Sequence, residues 1–371
     1  MKKIVTIGGA TQDIFIEYAE MQSMRLDTKR RSQFFTLLGK GEKIEVKNIH
    51  YATGGGATNS AVSFKRLGFD VVPFFKIAAD EPGKFIIHSL KEEKIITDYV
   101  VKNDEHTGIS FVVPSLQGDC TILAYRGANA HLVDREISYD LINTANCLYI
   151  TSLSGISAQL LLPITRYAHE HKILVANNPG KSQLMAGADI LRQSLKYIDI
   201  LILNSDEAQQ LMLSLAQTSE QVQSLIAQTQ AQAEQKKETP VLLRTTITIE
   251  NICFNLRHFF QAVLSRGPRI VVVTNGAEGV YVATKDTIYF HPSLQTTIIN
   301  TLGAGDAFGS CFAANIFLKK SVEQALVNGI INATSVISYL DAKTGLLNAV
   351  ALEQRAREVG LDGVLQFALK G

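Results

Sequence analysis

Six short runs, "KIVTIGG", "DVVPFFKIA", "CLYITSL", "ILVANNP", "DILILNS" and "RIVVVTNG", constrain the fold of this chain more than anything else in it. Four of them are almost continuously apolar and end in Asn, Gly or Pro. A strand reads this way when both of its faces are covered, because neither side then meets water. Segments of helical spacing, such as "ATNSAVSFKRLG" and "SAQLLLPITRYAHEHK", separate the runs. Repeated β–α units of this kind predict an α/β fold, a doubly wound and mostly parallel sheet flanked by helices. Its ligands would be taken up outside the carboxyl ends of the strands.

A length of 371 residues suits one large domain over 1–371 with embellishments. Two stretches, at about 15–53 and 99–126, alternate apolar and polar residues, as in "KIEVKNIHYA" and "CTILAYRG". They predict a small accessory β-sheet with one wet face, which serves either as a lid on a cleft or as a plain extension. A Gln- and Ala-rich segment within about 209–265 reads as an inserted set of surface helices.

The net charge of +1 sets up no global field for nucleic acid or an anionic membrane, and no basic stripe carries interleaved aromatics. Cys120, Cys147, Cys253 and Cys311 stand far apart, which argues against a zinc site or a disulfide framework and for a reducing compartment. "MKKIVTIGGATQD" reads as a first strand rather than a signal peptide. No uncharged stretch reaches the roughly 18 residues of a membrane span. The expected location is cytoplasmic. His169 and His171 are two apart, wrong for one helical face and so for a zinc pair.

Four clusters carry the candidate chemistry. In "NTLGAGDAFGSCFAANIF", Gly303, Ala304 and Gly305 free the backbone of bulk where a helix begins, and Asp306 follows. The first amides of a helix lack internal partners, and its dipole favours negative charge, so such a terminus suits a phosphoryl group. A carboxylate there either accepts a proton from a substrate hydroxyl or simply caps the helix. Three glycines, Gly54, Gly55 and Gly56, precede a helix whose first turn holds Asn59, fit either for a polyhydroxy ligand or for a tight turn. In "LILNSDEAQQL" a strand ends at Asn204, and Glu207 opens the next helix. The pair fits a Mg²⁺ ion held through water, or a capping box. Lastly, "VVVTNGAEGVYV" places Thr274, Gly276 and Gly279 between two strands, as a nucleotide-phosphate loop or an ordinary hairpin.

The order and spacing of these clusters resemble the ribokinase-like (PfkB) carbohydrate kinases over nearly the whole chain. The family's closing signature D-T-x-G-A-G-D appears as N-T-L-G-A-G-D, at Asn300 to Asp306. The resemblance implies a ribokinase-like fold and ATP-dependent phosphorylation of a hydroxyl on a small sugar or sugar-like substrate, with ATP and Mg²⁺. It implies that Asp306 is the catalytic base and that Gly303, Ala304 and Gly305 form the anion hole. Asp13, Gly54, Gly55, Gly56 and Asn59 fall on substrate-binding positions, and Arg126 on a lid arginine that reaches a ligand's oxygen or carboxylate. Asn204, Thr274, Gly276, Gly279 and Asn332 fall on nucleotide-binding positions, and Glu207 on one in the magnesium water shell.

The departures are specific. Asn300 replaces the Asp that helps bind a monovalent cation in potassium-activated members, so little response to potassium is expected. "GGGAT" replaces G-G-K-G-A, and Ser152 and Ser154 stand where ribokinases carry a sugar-binding Glu. A nucleoside kinase of the same family, with Phe15, Phe34 and Phe35 as walls for the base, is the alternative reading. A nucleotide-binding sensor is a third. Family resemblance also implies a homodimer through the lid sheets.

Overall fold

Alternate residues of the buried runs point to opposite sides of one sheet and build two separate cores. In the computed structural model, Val5, Ile150, Leu203 and Val273 pack with the helices Leu161–Glu170, Ser205–Ala216 and Leu256–Leu264. Their strand neighbours Ile4, Tyr149, Ile202 and Val272 pack with Gly56–Arg66, Ala304–Phe317 and Val322–Val336 on the other side. The structure describes residues 2–18, 22–27, 32–114, 120–185, 187–216, 239–245, 247–249 and 252–369.

Six strands run parallel, in the order Asp70–Phe74, Lys3–Ile7, Cys147–Ile150, Leu174–Asn177, Ile200–Asn204 and Ile270–Thr274. Val280–Ala283, Thr287–His291 and Leu365–Ala368 extend the sheet antiparallel. The chain places its second parallel strand on one side of Lys3–Ile7 and its third on the other. The order therefore reverses beside Lys3–Ile7, and a crevice opens where the flanking connections diverge. Asn178, Asn204 and Thr274 sit at or just past the carboxyl ends of their strands.

The fold is the expected one, with three differences of detail. "DVVPFFKIA" divides: Asp70–Phe74 joins the main sheet, while Lys76–Ala78 pairs with Val101–Asn103. Lys76 cannot continue a strand covered on both faces, and its ammonium is instead held by Glu136 and the His131 carbonyl, both at 2.8 Å. The segment expected to be helical over 209–265 contains a β-hairpin, Ile247–Ile249 with Ile252–Phe254. Its β-branched "ITI" outweighs the helical trend. Residues 217–238, the bulk of the Gln-rich stretch, lie outside the described residues.

The third difference concerns the accessory sheet, ordered Cys120–Tyr125, Gly108–Pro114, Thr11–Tyr18, Val46–Gly54. Pairing puts Tyr51, Ile14, Phe111 and Leu123 in one row across it. Tyr51, Phe111 and Leu123 are exposed. The outward face is thus apolar, where alternation alone predicts a wet polar one. The inward face carries Thr11, Asp13 and Ser110, all buried. Asp13 therefore stands on the lid sheet itself, just beyond the first strand of the main sheet.

Candidate active site

The glycine turn between Val46–Gly54 and the helix Gly56–Arg66 brings the lid down onto the main sheet. A Cβ on Gly54 would lie 1.9 Å from Asp13 Oδ2, and one on Gly55, where φ is +92°, would lie 2.4 Å from Gly9 O. Neither position admits a side chain, so the turn lets the backbone touch both the carboxylate and the first strand's exit. Asp13 is buried and accepts from Thr11 Oγ1 at 2.9 Å. Burial pushes its carboxyl above the usual range, and the nearby Asp306 charge adds to this. The Thr11 and Ser110 hydroxyls and the Lys343 charge pull the other way.

Across the cleft the helix Ala304–Phe317 begins with Gly303 at its cap, left-handed at φ +83°. Its first intrahelical bond joins Ala307 N to Gly303 O at 2.9 Å, which leaves the amides of Gly305 and Asp306 without an intrahelical acceptor. A Cβ on Gly305 would meet nothing within 4 Å, so open space lies over that terminus. Asp306 does not hold the cap position. Its Oδ2 accepts from Asn59 Nδ2 at 2.8 Å, which ties the two glycine-led helices together at the cleft. Burial raises the Asp306 carboxyl above its usual range, against the Asn59 hydrogen bond and the Lys343 charge.

A pocket of about 220 Å³ opens over this terminus. Asp306, Gly303 and Gly305 form one wall, and Asn204, Glu207 and Thr274 another. Asn204 and Glu207 make the reciprocal capping box, each backbone N–H donating to the other's side-chain oxygen at 2.8 Å. The residues thus cap a helix and also line the pocket. Burial raises the Glu207 carboxyl above its usual range; the Asn204 backbone opposes this, and Asp206 and Asp306 reinforce it. Thr274 ends its strand, and Gly276 and Gly279, both at positive φ, shape the turn to Val280–Ala283.

Two expected residues are placed elsewhere. Asn332 is fully buried, its Nδ2 donating to Ala307 O at 2.9 Å and its Oδ1 accepting from Leu347 N at 3.0 Å. Engaged at both ends of its amide, it braces the Ala304 helix and does not line the pocket. Arg126 is exposed at the end of the lid strand Cys120–Tyr125. Of the aromatic walls expected for a base, Phe15 is buried against His50 and Phe35 is exposed, while the Phe34 side chain lies outside those described.

Sequence reasoning passed over Asn178 and Lys343. Asn178 lines the pocket and donates to Ile202 O at 2.9 Å; the polar end of "ILVANNP" was a usable signal for it. Lys343 is a buried lysine whose Nζ donates to the hydroxyls of Thr53 and Thr58. Nothing in "DAKTG" marks it as buried.

A parallel sheet with a bare-amide helix terminus at its carboxyl edge, facing paired carboxylates under a β-lid, defines an α/β phosphotransferase. The sequence profile of the pfkB family carbohydrate kinases matches residues 21–241 and 254–347, and the chain belongs to that family. It is 26% identical over 327 residues to a ribokinase of Staphylococcus aureus (strain COL), covering 86% of this chain and 92% of the relative. It is also 26% identical over 290 residues to a 5-dehydro-2-deoxygluconokinase of Listeria monocytogenes serotype 4a (strain HCC23), covering 77% and 80%. The fold matches Arabidopsis thaliana ribokinase complexed with ribose and ATP, with TM-score 0.69 and 20% identity over 95% of this chain and 98% of that one. It matches Burkholderia thailandensis nucleoside kinase in complex with inosine as well, with TM-score 0.70 and 14% identity over 96% and 98%. The chain is thus an ATP-dependent kinase of the sugar or nucleoside class, with an alcohol as acceptor. Among the described residues no helix is long and apolar enough to cross a membrane.

Proposed function

We propose that the chain transfers the γ-phosphate of ATP to a hydroxyl of a small sugar or sugar-like substrate, with Asp306 as general base. The observation that carries this reading is the Asn59–Asp306 hydrogen bond beside the open Gly305 terminus. It holds a carboxylate where bare amides face a pocket. In the reaction Asp306 takes the hydroxyl proton as the oxygen attacks phosphorus in line. The Gly303–Ala304–Gly305 terminus stabilises charge building on the γ-phosphate oxygens. Asp13 accepts hydrogen bonds from substrate hydroxyls, and the Gly54–Gly56 turn and Asn59 orient the ring. Closure of the lid excludes water that would otherwise hydrolyse ATP. Asn204 and Thr274 carry the nucleotide phosphates, with Gly276 and Gly279 forming the loop beside them.

The oxygen donors at the pocket fit a magnesium ion, a hard cation that keeps much of its water. Glu207, whose carboxyl burial raises above its usual range, would hold it through water. An ion held there would supply positive charge to offset that of the phosphates.

Potassium is not part of this account. Asn300 Nδ2 donates to Leu340 O at 2.8 Å, and its Oδ1 accepts from Leu302 N at 3.0 Å. The amide thus supplies its own positive hydrogen to a carbonyl and joins the two segments without an ion. Turnover in potassium is expected to match turnover in sodium; strong activation by potassium contradicts this role for Asn300.

The apolar outer face of the lid supports pairing of two copies through it, since a monomer seldom exposes so continuous an apolar row. Phe111→Glu is expected to turn a dimer into a monomer in light scattering, and an unchanged mass argues against this surface. Substrate class is tested by coupled ADP release with a panel of sugars and nucleosides. Turnover with a sugar supports the reading, turnover with nucleosides alone replaces it, and tight ATP binding without turnover identifies a sensor.

A further inference from the structure

Lys343 is buried between Thr53 of the accessory sheet and Thr58 of the helix that carries Asn59, and the chemistry above does not use it. It follows Ala342, against whose Cβ a side chain on Gly303 would come within 2.3 Å, so it belongs to the loop packed on the helix terminus. It is only 8% exposed. Its Nζ donates to Thr58 Oγ1 at 3.1 Å and to Thr53 Oγ1 at 2.5 Å, two of the three donors an ammonium has. Thr53 pairs with Gln12, the neighbour of Asp13, and Thr58 precedes Asn59, the partner of Asp306. The ammonium therefore rests on two hydroxyls, each one residue removed from a group that flanks or binds a carboxylate: Thr53 opposite Gln12, and Thr58 next to Asn59. Two neutral hydroxyls compensate poorly for a charge taken out of water, so this arrangement costs stability.

We propose that Lys343 is a positioning residue of the phosphotransfer site, a fixed cation that balances the two carboxylates, Asp13 and Asp306, on either side of the cleft. The proposal rests on the reading of Asp306 as the base. Two carboxylates sharing one desolvated site cannot both stay ionised unless a positive charge is added. Asp306 must be ionised to accept a proton, and Asp13 to accept hydrogen bonds from the substrate. The incoming phosphates make the need greater.

The charges facing this ammonium come from several elements. Asp13 lies on the lid strand, Asp306 on the Ala304 helix, Asp341 on the same loop, and Glu93 at the end of the helix Glu81–Glu92. Arg66 Nη1 donates to the Lys343 carbonyl at 2.7 Å, and His50 acts on Asp341. Burial brings the Lys343 ammonium down to about 8, against the pull of these four carboxylates. Above that pH the cleft loses its cation.

The test is the pH profile of kcat/KM for Lys343→Met, with ATP affinity measured by calorimetry. The acid limb is expected to move up by about one pH unit or more. The parent chain is expected to show an alkaline limb near 8, from Lys343, that the variant lacks, with ATP affinity unchanged. A profile that superimposes on that of the parent chain, whatever the absolute rate, overturns the proposal. If Lys343→Met does not fold, Thr53→Val removes one tether and is expected to move the acid limb the same way by less; an unmoved limb there overturns the proposal equally. Asp306→Asn, measured in parallel, separates the two readings. An inactive Asp306→Asn with an unmoved limb in Lys343→Met removes the Lys343 proposal alone. An active Asp306→Asn with a moved limb removes the base assignment and leaves Lys343 acting on Asp13.

Discussion

Replacing Asp306 with Asn is expected to lower kcat about 10³-fold, the scale of general-base catalysis, while leaving ATP affinity nearly unchanged. Asn is isosteric and can still accept from Asn59 Nδ2 through its own carbonyl oxygen, so the cleft keeps its shape. The stability response sharpens this expectation. Burial raises the Asp306 carboxyl in the folded chain above its unfolded value, so the folded state binds the extra proton in the window between the two. Stability contributed by this group therefore falls as pH rises through that window, and at neutral pH the ionised carboxylate is a net cost. Asp306→Asn removes the cost, so its Tm at neutral pH is expected to equal or exceed that of the parent. A dead enzyme that is at least as stable is the signature of a group placed for chemistry. A loss of Tm alongside a modest loss of rate would mark Asp306 as structural instead. With Asp306 as the base, the same raised carboxyl is expected to place the acid limb of kcat/KM above the ordinary Asp value, with the rate rising as the group ionises.

The second large effect comes from a pair of neighbouring glycines. Gly303→Ala forces a side chain into a left-handed residue, which costs about 1–2 kcal/mol, and drives its Cβ to within 2.3 Å of Ala342 Cβ. The helix terminus must shift, and both Tm and kcat should fall, kcat by about 10², as when an oxyanion donor is lost. Gly305→Ala makes the contrast. Its Cβ meets nothing within 4 Å of protein, and alanine favours the helix. Its Tm should hold or rise. Its kcat/KM for ATP should still drop about 10²-fold, because the new methyl occupies space over the amides where a phosphate oxygen would be held. Thermal melts and initial rates on the two variants check both halves. Full activity in Gly305→Ala would mean that the terminus faces no phosphate.

These residues also show how far the chain could be read before its structure. The parallel sheet was legible because strands covered on both faces leave little room for polar residues, and each buried run carries that constraint by itself. The glycine turns and Asp306 were legible for a similar reason: a left-handed cap and a bare helix terminus restrict residue type locally. Lys343 was not, because its burial depends on Thr53 and Thr58, which reach it only after the lid and the closing helices have assembled. The bracing role of Asn332 was hidden for the same reason; its amide bonds Ala307 and Leu347, contacts that no local pattern announces. The accessory sheet's alternation was read correctly as a sheet with two unlike faces, but not which of them is apolar and exposed. Period two fixes which residues share a face and leaves open which face meets solvent.

The account depends on a proton acceptor and bare amides converging on the terminal phosphorus of ATP. Its most direct test is the rate at which phosphorylated product forms, followed by mass spectrometry, from ATP and a panel of sugars and nucleosides with the parent chain and Asp306→Asn side by side. The account predicts a phosphomonoester formed in step with ADP by the parent and nearly absent from the variant. No phosphorylated product from any acceptor, or equal rates in the two proteins, would contradict it.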